Sequence, residues 1–466
     1  MKKYHVWTEG CQMNVADSQR VGSALERLGY QFTGTAEEAD IIVLNTCVVR
    51  QSAEDKAYGR LNSLKPLKTR NPGLVVNLMG CLVGIRDNEK LRARFPYVDV
   101  FSPPSDTGPL VSFLTQGEAR AHEAARTSNL SAVMDGDPST MLRASLVLPE
   151  HERGKLVSAH VSVVLGCSHA CTFCIIPSRR GAERSRRVGE IVAEVRALVA
   201  QGVKEVTLLG QIVDRYGKDI PDGPSLAGLL KLLDQVEGLE RIRFLTSHPN
   251  YFTEELMEAI ASLPKVMPHI EIPIQAGDDE ILKRMRRGYT QADYRRIVAK
   301  IRQKIPGCSI ATDIIVGFPG ETEAQFMETY RLLEDLRLDS AHLARYSPRP
   351  GTVAERKMTD NVPEEEKMHR FRLLEDLQEK IVGEINAKLL GQKVDVLFEE
   401  KVKGRWRGRT PTNKLVFVET DNDPSTGFRQ AQPASSGQAL RGKVLPVIVT
   451  WTGPWSMQAA LTPAPL

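Results

Sequence analysis

Gly166-Cys167-Ser168-His169-Ala170-Cys171-Thr172-Phe173-Cys174 sets three cysteines in a C-x3-C-x2-C spacing within one short loop. Thiolates this close in sequence can all reach one metal centre. A fourth is missing locally. A closed structural zinc site takes four protein ligands, whereas a reactive centre keeps one position open. Three thiolates on a four-iron four-sulfur cluster leave one iron free for a small molecule. The competing readings are buried cysteines acting as small hydrophobes and a C-x-x-C that is redox-active or half a zinc site.

Outward from this loop, strand-like and helix-like stretches alternate. Val161 to Leu165 leads into the cysteines. Glu205 to Leu209 ends at Gly210-Gln211, Arg241 to Leu245 at Thr246-Ser247-His248, and His269 to Ile274 at Gln275-Ala276-Gly277. Ile310 to Val316 contains Asp313, and Ala341 to Tyr346 is a sixth strand. Catalytic groups of α/β barrels gather at the carboxyl ends of the strands. The cysteine loop, Gly210, Gln211, Ser247 and Gln275 fall there. Asp313 is unusual, because an unpaired carboxylate inside an apolar strand is costly. His248 and His269 read equally as hydrogen-bonded core residues or as participants. Gly320-Glu321 reads as a turn and cap. Arg179 to Arg187 holds five arginines in nine residues, a run expected to contact phosphate.

Toward the N-terminus, three strands each end in a cysteine: Glu9-Gly10-Cys11, Asn45-Thr46-Cys47 and Gly80-Cys81. Ligand sites of open α/β sheets lie outside those strand ends. Three cysteines far apart in sequence are therefore expected to converge on a second cluster. The seventh, Cys308, reads as packing.

The 466 residues, 41% hydrophobic and 26% charged, suit about three domains. No apolar run approaches a membrane span, and the N-terminus has no signal-like apolar core. An odd cysteine count without such a signal argues for a reducing cytoplasm and metal binding rather than disulfides. The net charge of +4 permits a polyanionic partner. From Lys388 to Lys443, eleven Lys and Arg stand against six Asp and Glu, an excess of five. Short strands there, with Lys401 to Arg409 interleaving basic residues and Trp406, fit an oligonucleotide-binding β-barrel.

The C-x3-C-x2-C loop resembles that of the radical S-adenosylmethionine (SAM) superfamily. That resemblance implies an open partial (βα)6 barrel, a cluster whose free iron chelates SAM, and one-electron cleavage to a 5′-deoxyadenosyl radical. Phe173 holds the aromatic position that packs by the adenine in that superfamily. Glu9-Gly10-Cys11-Gln12-Met13-Asn14, Asn45-Thr46-Cys47-Val48-Val49-Arg50 and Met79-Gly80-Cys81 are similar to the N-terminal domain of the methylthiotransferases. Gly408-Arg409-Thr410-Pro411-Thr412-Asn413-Lys414 is similar to a TRAM domain. Two clusters are then implied: Cys167, Cys171 and Cys174 hold the radical cluster, and Cys11, Cys47 and Cys81 hold a sulfur-carrying one. SAM contacts are expected from Phe173, Gly210, Gln211, Ser247, Gln275 and Asp313.

The expected architecture is α/β: an open-sheet domain at 1–117, a linker at 118–152, the radical SAM barrel at 153–386 and a TRAM barrel at 387–459. The most similar branch adds a methylthio group to carbon 2 of isopentenyladenosine beside the tRNA anticodon. One SAM methylates the sulfur and another makes the radical. Rival substrates are threonylcarbamoyladenosine in tRNA and a ribosomal-protein aspartate. A non-catalytic iron–sulfur RNA sensor is the rival from another class. Implied partners are a tRNA anticodon stem-loop, a flavodoxin-like or ferredoxin-like electron donor and a sulfur donor. The chain is expected to be a cytoplasmic monomer with no membrane association. Two departures from the family pattern are Ser178-Arg179, where Tyr-Thr is usual, and Gly210-Gln211-Ile212-Val213-Asp214, where Gly-Gln-Asn-Val-Asn is commoner.

Overall fold

The computed structural model describes residues 1–49, 51–86, 89–123, 148–419 and 440–462. Much of the expected linker lies outside these residues.

A parallel five-stranded sheet opens the chain. Its strands are β1 (Lys3–Glu9), β2 (Gln31–Phe32), β3 (Ile41–Thr46), β4 (Val75–Gly80) and β5 (Val100–Ser102), in the order β2-β1-β3-β4-β5. The central β3 is buried at all six positions. This is the continuous apolar run that a strand covered on both faces requires. Four helices flank the strands: α1 (Gln12–Arg27), α2 (Gln51–Arg70), α3 (Glu89–Arg94) and α4 (Gly108–Glu123). The last of them runs across position 117. His151, from the far end of the expected linker, stacks on Phe32 with ring centroids 3.6 Å apart.

Six parallel strands follow: β6 (Ser158–Ser162), β9 (Glu205–Leu209), β10 (Arg241–Phe244), β11 (His269–Glu271), β12 (Ser309–Val316) and β13 (Ser340–Arg345). They form two three-stranded sheets, β10-β9-β6 and β11-β12-β13. Between β6 and β9, the short β7 (Val164–Leu165) and β8 (Arg184–Ser185) pair across the cysteine loop. Gln275 and Ile314 form an isolated parallel bridge beyond the end of β11. The intervening helices start on side-chain caps, including Ser225, Thr253, Asp278, Thr290 and Thr322. Each such cap satisfies an orphan amide and is worth about 1 kcal/mol. Their apolar faces and the strands share one large core, with Val206, Leu208, Ile242, Phe244 and Ile310 almost fully buried.

The chain ends in a closed barrel, β14-β15-β16-β18-β17, built from β14 (Lys393–Val402), β15 (Arg405–Arg409), β16 (Leu415–Val418), β17 (Val444–Thr452) and β18 (Met457–Leu461). Trp406 is buried in its core with Val396, Phe398 and Val447. The expected aromatic of the basic strand is thus a core residue. Strand alternation turns Trp406 inward and Arg405, Arg407 and Arg409 outward. Those arginines pair with Glu419, Glu399 and Glu400. The exposed tryptophans are Trp451 and Trp455.

The loop after β15 docks under the open barrel. Arg243 donates to the carbonyls of Thr410 and Pro411 at 2.8 Å each, and Arg241 donates to that of Arg409 at 2.7 Å. The Gly408–Lys414 segment is therefore a floor for the six-stranded half-barrel. A cavity of about 580 Å³ runs up the barrel interior, from Thr412 and Asn413 at the floor to Gln12 beside Cys11.

Candidate active site

Three of the four cysteine-bearing turns are shaped by the glycine before the cysteine; Cys47 follows Thr46 instead. A Cβ on Gly166 would lie 2.2 Å from the Ala182 carbonyl oxygen, and its φ is +68°. One on Gly80, at φ +95°, would lie 2.5 Å from the Thr46 carbonyl oxygen. One on Gly10 would lie 2.3 Å from Asn14 Oδ1. Only glycine lets the backbone come this close.

Cys167, Cys171 and Cys174 follow β7 in one loop whose sulfurs meet N–H donors. The His169 amide donates to Cys167 Sγ at 3.4 Å. Arg287 donates from Nη1 to Cys171 Sγ at 3.1 Å. The Ile176 amide faces Cys174. Burial pushes the Cys174 thiol up to about 12, so without a metal it stays protonated. Metal binding releases such protons.

The early three converge as well. Cys11 caps α1, whose first turn is closed by Asn14. Asn14 donates to Asn45 Oδ1 at 2.8 Å and to the Thr46 carbonyl at 3.1 Å. Thr46 in turn donates to the Met79 carbonyl at 2.7 Å. This buried chain of hydrogen bonds locks the three strand ends together, and removing one member would strand the others. Burial pushes the Cys81 thiol up to about 11. Charge on Cys47 and Cys11 adds to that shift, and Arg180 opposes it. The Val49 amide donates to Cys47 Sγ at 3.4 Å, and Arg180 Nε to Cys81 Sγ at 3.2 Å.

The segment that follows Cys174 reaches the N-terminal cysteines. Ile175, next to Cys174, packs in the same apolar cluster as Val48, Cys81 and Leu82. Arg180, at the end of the short helix Ile176–Arg180, reaches Cys81. Among the described residues, the only Cys, His, Asp and Glu set with its ligand atoms all within 4.8 Å is Glu271, Asp313 and His342. Neither cysteine set is drawn in around a single ion. Wider spacing suits a cubane, whose ligands bind different irons, and N–H···S bonds are the partners that cluster thiolates take. The residues present fit an iron–sulfur cluster at each set.

The expected SAM contacts occupy varied positions. Ser247 is buried, its amide on the Glu271 carbonyl at 2.9 Å and its Oγ without a partner. His248 and Asp214 beside it also have unpartnered atoms, Nε2 and Oδ1. The His248 ring lies 4.7 Å from that of His169 in the cysteine loop. Three orphaned polar atoms beyond the adjoining ends of β9 and β10 are what a polar ligand satisfies. His248 is therefore more than a satisfied core histidine; burial and the nearby Arg287 hold its pKa down at about 2. Gln211 donates to Met13 Sδ at 3.0 Å. Gln275 takes a left-handed φ of +79° and bonds β12 through its backbone. Gly210 packs against Val164 and Val213. Phe173 is half-buried on the main core. Asp313 projects into the barrel beside Glu271 and His342.

The arginine run divides. Arg180 is buried on Cys81 and Asp17, and Arg186 pairs with Glu194 at 2.6 Å. Arg184 and Arg187 are exposed. Arg179 is half-buried, so the two exposed arginines are the members of the run most open to a phosphate. Glu321 is a structural anchor, accepting from the Gly317 amide and from Arg370. Cys308 stands apart from both sets, its Sγ on its neighbour's carbonyl. Arg180, Arg287 and Asp214 escape sequence reasoning as site residues, whereas the sequence leaves His248 open between core and participant. The signal available for Arg180 was its distance of six residues from Cys174, which a charge count hides.

Residues 161–333 match the radical SAM superfamily, and residues 3–102 match a family described as uncharacterized protein family UPF0004. Among solved structures, the chain is similar to the radical SAM methyltransferase TsrM of Kitasatospora setae with cobalamin and a [4Fe-4S] cluster bound. The TM-score is 0.53 at 15% identity, over 76% of this chain and 74% of that one. This likeness concerns the fold. The tRNA-2-methylthio-N(6)-dimethylallyladenosine synthase of Roseiflexus sp. (strain RS-1) is 46% identical over 99% of this chain and 90% of its own length. The protein of that name from Dehalococcoides mccartyi (strain CBDB1) is 43% identical over 99% of both chains. With the open barrel, the terminal β-barrel and full-length identity of this order, the chain belongs to the family of the tRNA-2-methylthio-N(6)-dimethylallyladenosine synthases, radical SAM enzymes that depend on SAM and a [4Fe-4S] cluster.

Proposed function

We propose that this chain adds a methylthio group to carbon 2 of dimethylallyladenosine in tRNA, using two iron–sulfur clusters held by Cys167, Cys171, Cys174 and by Cys11, Cys47, Cys81. The observation that supports the reading is that the segment after Cys174 reaches the N-terminal cysteines: Arg180 donates to Cys81 Sγ, and Ile175 belongs to the apolar cluster that includes Cys81.

The target carbon bears an unactivated aromatic C–H bond, which acid–base groups do not attack readily. Bound clusters and SAM supply the electron, the radical and the sulfur. The residues of the chain do the rest. Ser247 Oγ, His248 Nε2 and Asp214 Oδ1 offer polar contacts for SAM at the strand ends. Gly210, Gln211, Gln275, Asp313 and Phe173 are the further SAM contacts of this reading. The cavity inside the barrel, which reaches Gln12 beside Cys11, leaves room within the barrel for part of the substrate. An anticodon-loop base is unpaired and splays out at low cost. Arg184, Arg187 and the terminal barrel, a TRAM-type module at about 387–459, hold the RNA backbone.

The domain limits follow the same reading: 1–117 for the sulfur-carrying cluster, 118–152 as a connector and 153–386 for the radical site. A flavodoxin-like or ferredoxin-like protein donates electrons, and a separate donor renews the sulfur. The protein works as a cytoplasmic monomer. Among the described residues no helix is long and apolar enough to cross a membrane.

The test is nucleoside mass spectrometry of tRNA from a strain lacking the gene, with and without the gene restored. The methylthio derivative of dimethylallyladenosine should vanish and return. Loss of a methylthio-threonylcarbamoyl nucleoside instead would overturn the substrate assignment.

A further inference from the structure

Two buried arginines serve the two cysteine sets, and they are not used alike. Arg287 spends its donors on protein. Nη1 goes to Cys171 Sγ, Nε to Tyr289 Oη at 2.9 Å and Nη2 to the Pro273 carbonyl at 3.4 Å. Arg180 does not. Its side chain is 3% exposed, its Nε donates to Cys81 Sγ at 3.2 Å, and its Nη1 lies 3.7 Å from Asp17 Oδ2. Its Nη2 is buried without a hydrogen-bond partner. Asp17 is fully buried and also lies 3.6 Å from Arg20.

A guanidinium is expensive to bury, and a donor left unsatisfied adds to that cost. Asp17 balances the charge but accepts no hydrogen bond. The open donor therefore sits beside Cys81, in a site built to receive sulfur, with no protein acceptor. The geometry points to Arg180 as a positioning residue of the N-terminal site: Nε fixes the Cys81 thiolate, and Nη2 is held for an inorganic sulfide of the group bound there. Because its helix begins two residues after Cys174, Arg180 also sets the N-terminal site in register with the radical loop. This rests on the proposal that the N-terminal cysteines hold a cluster.

Hydrogen bonds to sulfur and nearby positive charge stabilise the reduced, more negative state of a cluster and raise its potential. Lysine keeps the charge but not the fork of donors. The experiment uses the full chain carrying Cys167→Ala, Cys171→Ala and Cys174→Ala, reconstituted without oxygen, so that only the N-terminal site can load. Iron and sulfide are counted first, and the midpoint potential is then measured by an EPR-monitored redox titration. Arg180→Met should retain iron and shift the potential downward, with Arg180→Lys between it and the parent. If Arg180→Met loses its iron, Arg180→Gln, which keeps N–H donors without charge, replaces it and should also lie below Arg180→Lys. An iron-loaded parent with unchanged potentials in the variants would overturn the inference alone. A parent without iron would overturn the cluster assignment and the inference with it.

Discussion

The side-chain amide of Gln211 donates to the sulfur of Met13 at 3.0 Å. Gln211 stands at the carboxyl end of β9, and Met13 is the second residue of α1, two after Cys11. One contact thus joins the loop after β9 to the helix that begins at Cys11. Sulfur is a weak acceptor, so the bond orients the two elements more than it binds them.

The cysteine-bearing turns should fail one at a time. Gly80→Ala places a methyl against Thr46 at a φ that L residues avoid, a strain of about 1–3 kcal/mol. It should halve the iron content while SAM cleavage by reconstituted enzyme persists. Gly166→Ala should also cost iron, but it should abolish SAM cleavage. Assay of 5′-deoxyadenosine beside iron analysis separates the two.

The floor of the barrel depends on Arg243. It pairs with Glu205 at 2.9 Å, both side chains being under 5% exposed, and donates to two carbonyls of the docking loop. Arg243→Ala leaves Glu205 buried without its partner, at a cost of about 3–5 kcal/mol. Thermal melting should drop, and limited proteolysis should release the terminal barrel first.

Asp214 gives a pH signature. Burial raises its pKa from 3.8 to about 7. Its contribution to stability is full below pH 3.8 and is lost as pH rises through 7. Asp214→Asn, which can still accept from the His248 amide, should stabilise the protein at pH 8 by on the order of 2 kcal/mol and change little at about pH 4. Denaturant melts at the two pH values check this.

Trp406 is buried, whereas Trp451 and Trp455 are exposed, so the proposed RNA contact predicts stacking on the exposed indoles. Trp451→Ala should weaken tRNA binding by about 1–3 kcal/mol with the fold intact. Trp406→Phe should affect stability and leave affinity unchanged once the protein is folded. Filter binding at fixed salt distinguishes them.

Strand ends were legible because Gly-Cys stands directly after apolar runs such as Leu74 to Met79, and a parallel sheet brings such ends together. The half-barrel was legible for the same reason. Long-range pairings were not. Nothing near Arg180 names Cys81, ninety-nine residues away, and nothing near Arg243 names Thr410. The orphaned Ser247, His248 and Asp214 atoms show only when burial is known. The strict alternation of Lys401 to Arg409 made the barrel strand legible, while the inward turn of Trp406 shows only once burial is known.

The central claim is two clusters on one chain, and iron and sulfide analysis tests it directly. Anaerobically reconstituted wild type should carry about eight irons and eight sulfides per chain, and a Cys11→Ala, Cys47→Ala, Cys81→Ala variant about four of each, for two four-iron cubanes. A wild type that saturates at about four irons, unchanged in the triple variant, would contradict the account.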